Sequence, residues 1–359
     1  MKYILILLLS FMVLNAQEIS DEKLKQLIGR MLVVGFDESS VTKESQIAKD
    51  IVRYDLLGVI LFDKFYNDRS KTKNIGSPKQ LKKLTTQLQS FSKKPLLISV
   101  DQEGGKVARL KEAYGFKSFL SAKEVSKLSK SEAKKIYDEL SQMLNTNGIN
   151  CNFAPVVDLA LNPKNEVIVG LERSYGGDPD KVSEYAEVFI DSLREHEVLS
   201  VIKHFPGHGS SLDDSHKGFV DVTRTWDDVE LEPYKKLIEA NKVDMIMTAH
   251  IFHRFLDLKL PATLSYKINT KLLREKLGYN GVIISDDMQM AAIAKHYSLE
   301  ESILYSINAG VDILLFANQL GSNTPEELVE TIFGLVKYGD ISVERIMDSV
   351  QRIEKLNIK

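Results

Sequence analysis

One cysteine, Cys151, occurs in 359 residues, which excludes an internal disulfide and any multi-cysteine metal centre. It lies in the apolar run 149–157, where a buried small hydrophobe is the expected role. Strong charge of either sign is also missing. With 47 basic against 50 acidic residues the net charge is -3, and no basic block with interleaved aromatics occurs. Both features argue against a nucleic-acid partner. No apolar run reaches the ~20 residues of a membrane span, and no amphipathic basic helix marks a stable membrane partner. Pro/Ser-rich linkers and internal repeats are absent too, so a second domain is not expected. What remains, 43% hydrophobic and 27% charged, is the composition of a globular chain, with a monomer as the default expectation.

The first residues, MKYILILLLSFMVLNAQ, have the layout of a secretory signal. Lys2 is the charged start, Ile4 to Leu14 the apolar core, and Ala16 the cleavage position. The expected division is a signal peptide at 1–16 and one domain at 17–359, exported to the periplasm.

From there, apolar runs alternate with segments of helical spacing. The runs are 31–36, 58–62, 96–100, 151–157, 200–202, 245–248, 281–285 and 311–316. Helices are expected over 78–88 (with Ser77 as N-cap), 131–144, 179–193, 232–240, 270–277, 299–309, 325–336 and near 343–356. Eight apolar strands, each followed by a helical crossover, predict an α/β fold, a single (β/α)8 TIM barrel. Catalytic groups then belong at the carboxyl ends of strands. Those ends carry Asp101-Gln102-Glu103, Asp158, Lys203-His204, His250 and Asp286-Asp287. Asp312 opens the eighth strand, at the opposite end, where a structural hydrogen-bonding role is expected.

The densest polar stretch is KHFPGHGSSLDDSH at 203–216. An apolar strand ends there in two cations, a Pro-Gly break follows, and a loop brings Asp213, Asp214 and His216. A ring of carboxylates, His, Lys and Arg without a phosphate-binding glycine loop fits hydrolysis of a hydroxyl-rich substrate such as a sugar. Glycosidases need one carboxylate at the oxocarbenium-like centre and one group to protonate the leaving oxygen. Asp286, at the end of Val282-Ile283-Ile284-Ser285, is the candidate for the first role. The Asp214/His216 pair suits the second, because a carboxylate fixes the imidazole tautomer and tunes its pKa. A metal reading would use His204, His208, Asp213, Asp214 and His216, but Pro206 and Gly207 break any helix that would align the two rings. Neither a metal nor another cofactor is expected.

Five motifs, KHFPGHGSSLDDSH, DQEGGKVARL (101–110), NFAPVVDL (152–159), ERSYGGDP (172–179) and GVIISDDMQM (281–290), resemble glycoside hydrolase family 3. The likeness is greatest to its bacterial β-N-acetylglucosaminidase branch and runs from about residue 22 onward. The resemblance implies the same (β/α)8 barrel and a retaining exo-β-N-acetylglucosaminidase, acting on carbohydrate with a terminal β-linked GlcNAc, such as muropeptides or chitin-like oligosaccharides. It implies Asp286 as nucleophile, His216 as acid/base and Asp214 as its partner. Asp101, Arg109, Arg173, Lys203 and His204 match positions that line the sugar pocket. The β-glucosidases of the family usually take their acid/base carboxylate from a domain after the barrel, so Asp214-Ser215-His216 disfavours glucosidase activity. Asp63-Lys64-Phe65-Tyr66 departs from the Arg-Asn that often follows the second strand. A phosphorylase, in which phosphate replaces water as acceptor, and a non-catalytic carbohydrate-binding barrel are the alternatives.

Overall fold

Strands of this chain are apolar runs buried on both faces, and a parallel sheet covered by helices is the arrangement that accommodates them. The structure, a computed structural model, describes residues 19–215 and 218–359. The segment read as a signal peptide, 1–16, and His216 therefore lie outside the described residues.

Among the described residues ten strands occur in chain order: β1 Leu32–Gly35, β2 Gly58–Ile60, β3 Leu97–Val100, β4 Cys151–Asn152, β5 Leu199–Phe205, β6 Val220–Asp221, β7 Met245–Thr248, β8 Ile251–Phe252, β9 Val282–Ile284 and β10 Leu314–Phe316. Eight form one sheet in the order β10-β1-β2-β3-β4-β5-β7-β9, with all its pairings parallel. The two ends of that order meet. Ile284 bridges Ile313 in parallel, Ile313 N–H donates to the Ile283 carbonyl at 3.0 Å, and Ser285 N–H donates to the Ile313 carbonyl at 2.9 Å. The sheet is thus closed into the expected (β/α)8 barrel. β6 and β8 pair with each other outside it, just beyond the carboxyl ends of β5 and β7.

Helix ends follow the capping chemistry of the sequence. Ser77, Ser129, Ser298, Thr324 and Ser342 each accept a backbone N–H in the first turn of the helix they precede. Ser129 with Glu132 and Ser298 with Glu301 complete capping boxes. Pro78, Pro179 and Pro325 occupy first turns, where the missing N–H costs nothing. Helices Asp21–Gly29 and Gln46–Tyr54 were not foreseen; each is only nine residues long.

Asp312 enters β10 completely buried. Its carboxylate accepts from Arg274 at 2.6 Å, Ser349 at 2.8 Å, Ile283 N–H at 3.0 Å and Arg352 at 3.3 Å. This ties the last helix, Val343–Glu354, to the amino-terminal end of the barrel, away from the strand ends that carry the polar cluster. Replacing Asp312 by alanine removes the carboxylate that neutralises the buried Arg274 guanidinium. Removing one partner of such a buried pair costs about 3 kcal/mol or more. Urea denaturation is expected to show that loss, with KM of the remaining folded protein unchanged.

Candidate active site

The carboxyl ends of the strands surround a cavity of about 540 Å³, inside the ~300–1,000 Å³ range of small-molecule sites. Asp101, Arg109, Arg173, Lys203, His204, Asp214 and Asp286 all line it. The described residues assigned to the nucleophile, dyad and sugar-pocket positions therefore converge on one space, whereas Asp158, Asp213 and His250 do not line it.

Its floor is a buried network of charges. Lys203, only 2% exposed, points from β5 between Asp101 and Glu103, at 2.9 and 2.8 Å. Arg109 reaches Asp101 at 3.2 Å, and Arg173 clasps Glu103 with two nitrogens, each at 2.8 Å. Three cations thus surround two anions, and the forked Arg173–Glu103 contact fixes orientation as well as charge. Burial alone would raise the carboxyl groups of Asp101 and Glu103. The neighbouring ammonium and guanidinium groups outweigh it and hold both below the ordinary carboxylate range. Burial would likewise lower Lys203 and Arg173, but the same carboxylates raise both. Each group is thus held charged. Glu103 was visible in the DQEGG motif, but its pairing with Arg173, 70 residues on, is a tertiary fact.

His204 is oriented by two contacts. Its Nδ1 stands 2.6 Å from Asp158 Oδ2, and its Nε2 stands 3.3 Å from an Arg173 nitrogen. A guanidinium only donates, so Nε2 accepts and the ring proton sits on Nδ1, directed at Asp158. Asp158 Oδ1 also accepts the backbone N–H of His204 and His208, at 3.2 and 2.8 Å. The buried carboxylate at the end of the fourth apolar run therefore builds the β5 turn rather than meeting substrate. His208 is committed in the same way. Its Nδ1 lies 2.7 Å from Ser211 Oγ and its Nε2 3.4 Å from Ser215 Oγ, while burial pulls its pKa down to about 4. Among the described residues no group of three or more His, Cys, Asp or Glu is arranged to hold a metal ion.

Asp286 is separated from β9 by Ser285, and its Oδ1 accepts the Asp287 N–H at 2.8 Å. Asp287 Oδ1 accepts N–H groups from Gln289 at 3.2 Å and Ala317 at 3.1 Å. Both aspartates border the cavity, and Asp287 is in addition held by the backbone of its own turn and of the β10 exit. His250 supports the same turn: its Nε2 donates to the Asp287 carbonyl at 2.9 Å, and its Nδ1 meets the Thr263 hydroxyl at 2.8 Å. The unusual Asp63 is buried and pairs with Lys111 at 2.6 Å on the cavity's flank.

Residues 19–356 match the glycosyl hydrolase family 3 N terminal domain. The chain belongs to glycosyl hydrolase family 3. It is 34% identical over 344 residues to a protein named beta-hexosaminidase A of Pseudoalteromonas piscicida, covering 89% of this chain and 56% of that one. A beta-hexosaminidase of Tolumonas auensis is 35% identical over 278 residues, 75% of this chain and 78% of its own. Among solved structures, a family 3 beta-N-acetylglucosaminidase from Paenibacillus sp. str. FPU-7 superposes with TM-score 0.83 at 32% identity, over 92% of this chain and 61% of that one. A beta-N-acetylhexosaminidase from Beutenbergia cavernae gives 0.82 at 26% identity, over 92% of this chain and 97% of that one. The chain thus spans little more than half of some relatives and nearly all of others. Within the family 3 barrel, the charged residues that line the cavity follow β3, stand on β5 and the 172–173 turn, and Asp286 stands just past β9.

Proposed function

We propose that this chain is a retaining exo-β-N-acetylglucosaminidase. The observation that carries the reading is the meeting of Asp286, Asp214 and the Asp101–Lys203–Glu103 network on one cavity. In this reading the network and Arg109, Arg173 and His204 hold the hydroxyls of a terminal GlcNAc. Asp286 attacks the anomeric carbon, and the imidazole that Asp214 supports protonates the departing oxygen. Water activated by the same imidazole then releases the sugar. The names of the relatives support the acetylated sugar over glucose. The signal-like stretch at 1–16 supports export, and with it a substrate outside the cytoplasm such as cell-wall fragments or chitin-like oligomers.

The test is release of nitrophenol from the β-N-acetylglucosaminide and from the β-glucoside, with and without phosphate and chelator. Release from the acetylated substrate alone, indifferent to chelator, is expected. Preference for the glucoside would contradict the reading, dependence on phosphate would make the enzyme a phosphorylase, and silence on both substrates would favour a binding protein.

A further inference from the structure

Behind the loop that carries Asp214 lies a carboxylate with no place in the chemistry above. Glu230 is 1% exposed and does not line the sugar cavity. It belongs to the short helical turn Asp228–Leu231 and reaches back under the Pro206–Gly209 turn. Its Oε2 accepts the Gly209 N–H at 2.9 Å, and the Ser210 hydroxyl and backbone N–H also favour its anion.

The approach is tight because residues 207 and 209 are glycines. A Cβ on Gly207, whose φ is +123°, would stand 2.6 Å from the Glu230 Cβ and 2.8 Å from Oε2. One on Gly209 would stand 1.7 Å from the Leu159 carbonyl oxygen. Gly209 is therefore clamped between the chain that continues β4 and the Glu230 carboxyl. From this point the loop is stapled outward. Asn165 donates to the His208 and Gly209 carbonyls at 2.8 and 3.2 Å, Asn162 donates to the Ser211 carbonyl at 3.0 Å, and His208 joins Ser211 and Ser215. Asp214 stands on the far side of those staples.

We propose that Glu230 is a positioning residue for the catalytic loop: by clamping Gly209 against the β4 extension, it fixes where Asp214 stands relative to Asp286. The inference rests on the glycosidase reading for its effect on turnover, but not for the clamp itself.

Burial pushes the Glu230 carboxyl up to about 7, so the clamp carries a pH signature. Asp158 faces it from the strand side and disfavours its anion; Tyr234 faces it from the following helix. His208 lies in the loop itself. With Glu230 near 7 when clamped and near 4.5 when released, its contribution is complete below 4.5 and lost as pH rises through 7. His208, near 4 when clamped and 6.5 when released, contributes in the opposite direction. The ratio of wild type to a Glu230 variant cancels the His208 part.

The experiment is amide hydrogen exchange of the segment 205–213 in the full chain, for wild type, Glu230→Gln and Glu230→Ala, together with kcat and KM. The ratio of loop opening, wild type over Glu230→Gln, is expected to rise roughly a hundredfold between pH 4.5 and 7 and then level. Glu230→Ala is expected to lower kcat at least roughly tenfold with KM within about threefold, because the sugar network stands on other elements. Glu230→Gln, whose amide oxygen still accepts from Gly209, recovers most of that loss. A ratio that does not change with pH, or wild-type kcat in Glu230→Ala, overturns the proposal. If Glu230→Ala does not fold, exchange in Glu230→Gln decides alone. A pH-dependent ratio in a protein without glycosidase activity would sink the functional reading and leave the clamp standing.

Discussion

Asp286→Asn is expected to lower kcat by about four orders of magnitude, the scale on which a covalent nucleophile is lost. Its thermal midpoint should stay within a few degrees of wild type. The fold tolerates the change because the asparagine oxygen can still accept the Asp287 N–H that Oδ1 now receives at 2.8 Å. What disappears is the second anionic oxygen, the one that can bond to the anomeric carbon. Asp287→Asn makes a sharp control: the neighbouring carboxylate serves Gln289 and Ala317, and its amide replacement keeps an oxygen in place. Its loss in kcat should be smaller by at least about two orders of magnitude. Equal losses in the two variants would remove the distinction between attacking and structural aspartate.

Lys203→Met should cost about 3–5 kcal/mol of stability and abolish sugar binding. Methionine fills much of the volume but leaves Asp101 and Glu103 facing each other with only Arg109 and Arg173 to compensate. Urea denaturation gives the first quantity, and titration with an N-acetylglucosamine-containing inhibitor the second. The pH dependence follows from the depressed carboxyl groups. Burial opposes their ionisation, the cations outweigh it, and the folded values lie below the 3.8 and 4.5 of the free side chains. Their contribution is present above those ordinary values and is lost as pH falls through the lower folded ones. The stability gap between wild type and Lys203→Met should therefore be full above about pH 5 and close on strong acidification. A gap below about 1 kcal/mol at neutral pH would place the network in the solvent-screened class of ion pairs.

The barrel was legible because a parallel strand covered on both faces must be apolar along its whole length, and all eight runs met that requirement. Its polarity was legible too: Asp101, Lys203 and Asp286 stand at strand exits, and Asp312 at an entrance locked by arginines. The pieces that escaped are those made only by tertiary contact. β6 and β8 pair over two residues each, too few to leave a periodic trace. Asp158 and His204 are 46 residues apart, and nothing local to NFAPVVDL says that its aspartate will anchor an imidazole. Glu230 sits in DDVELEP, which reads as an acidic surface turn; its burial comes from docking beneath Gly207 and Gly209. His216 was assigned from its motif, and its chemistry is tested by turnover rather than by position.

The most direct measurement is the proton NMR spectrum of N-acetylglucosamine in the first minutes of hydrolysis of an aryl β-N-acetylglucosaminide. Double displacement at Asp286 predicts that the β-anomer appears first and mutarotates later. Appearance of the α-anomer first would mean a single inverting displacement by water, and would contradict Asp286 as the nucleophile.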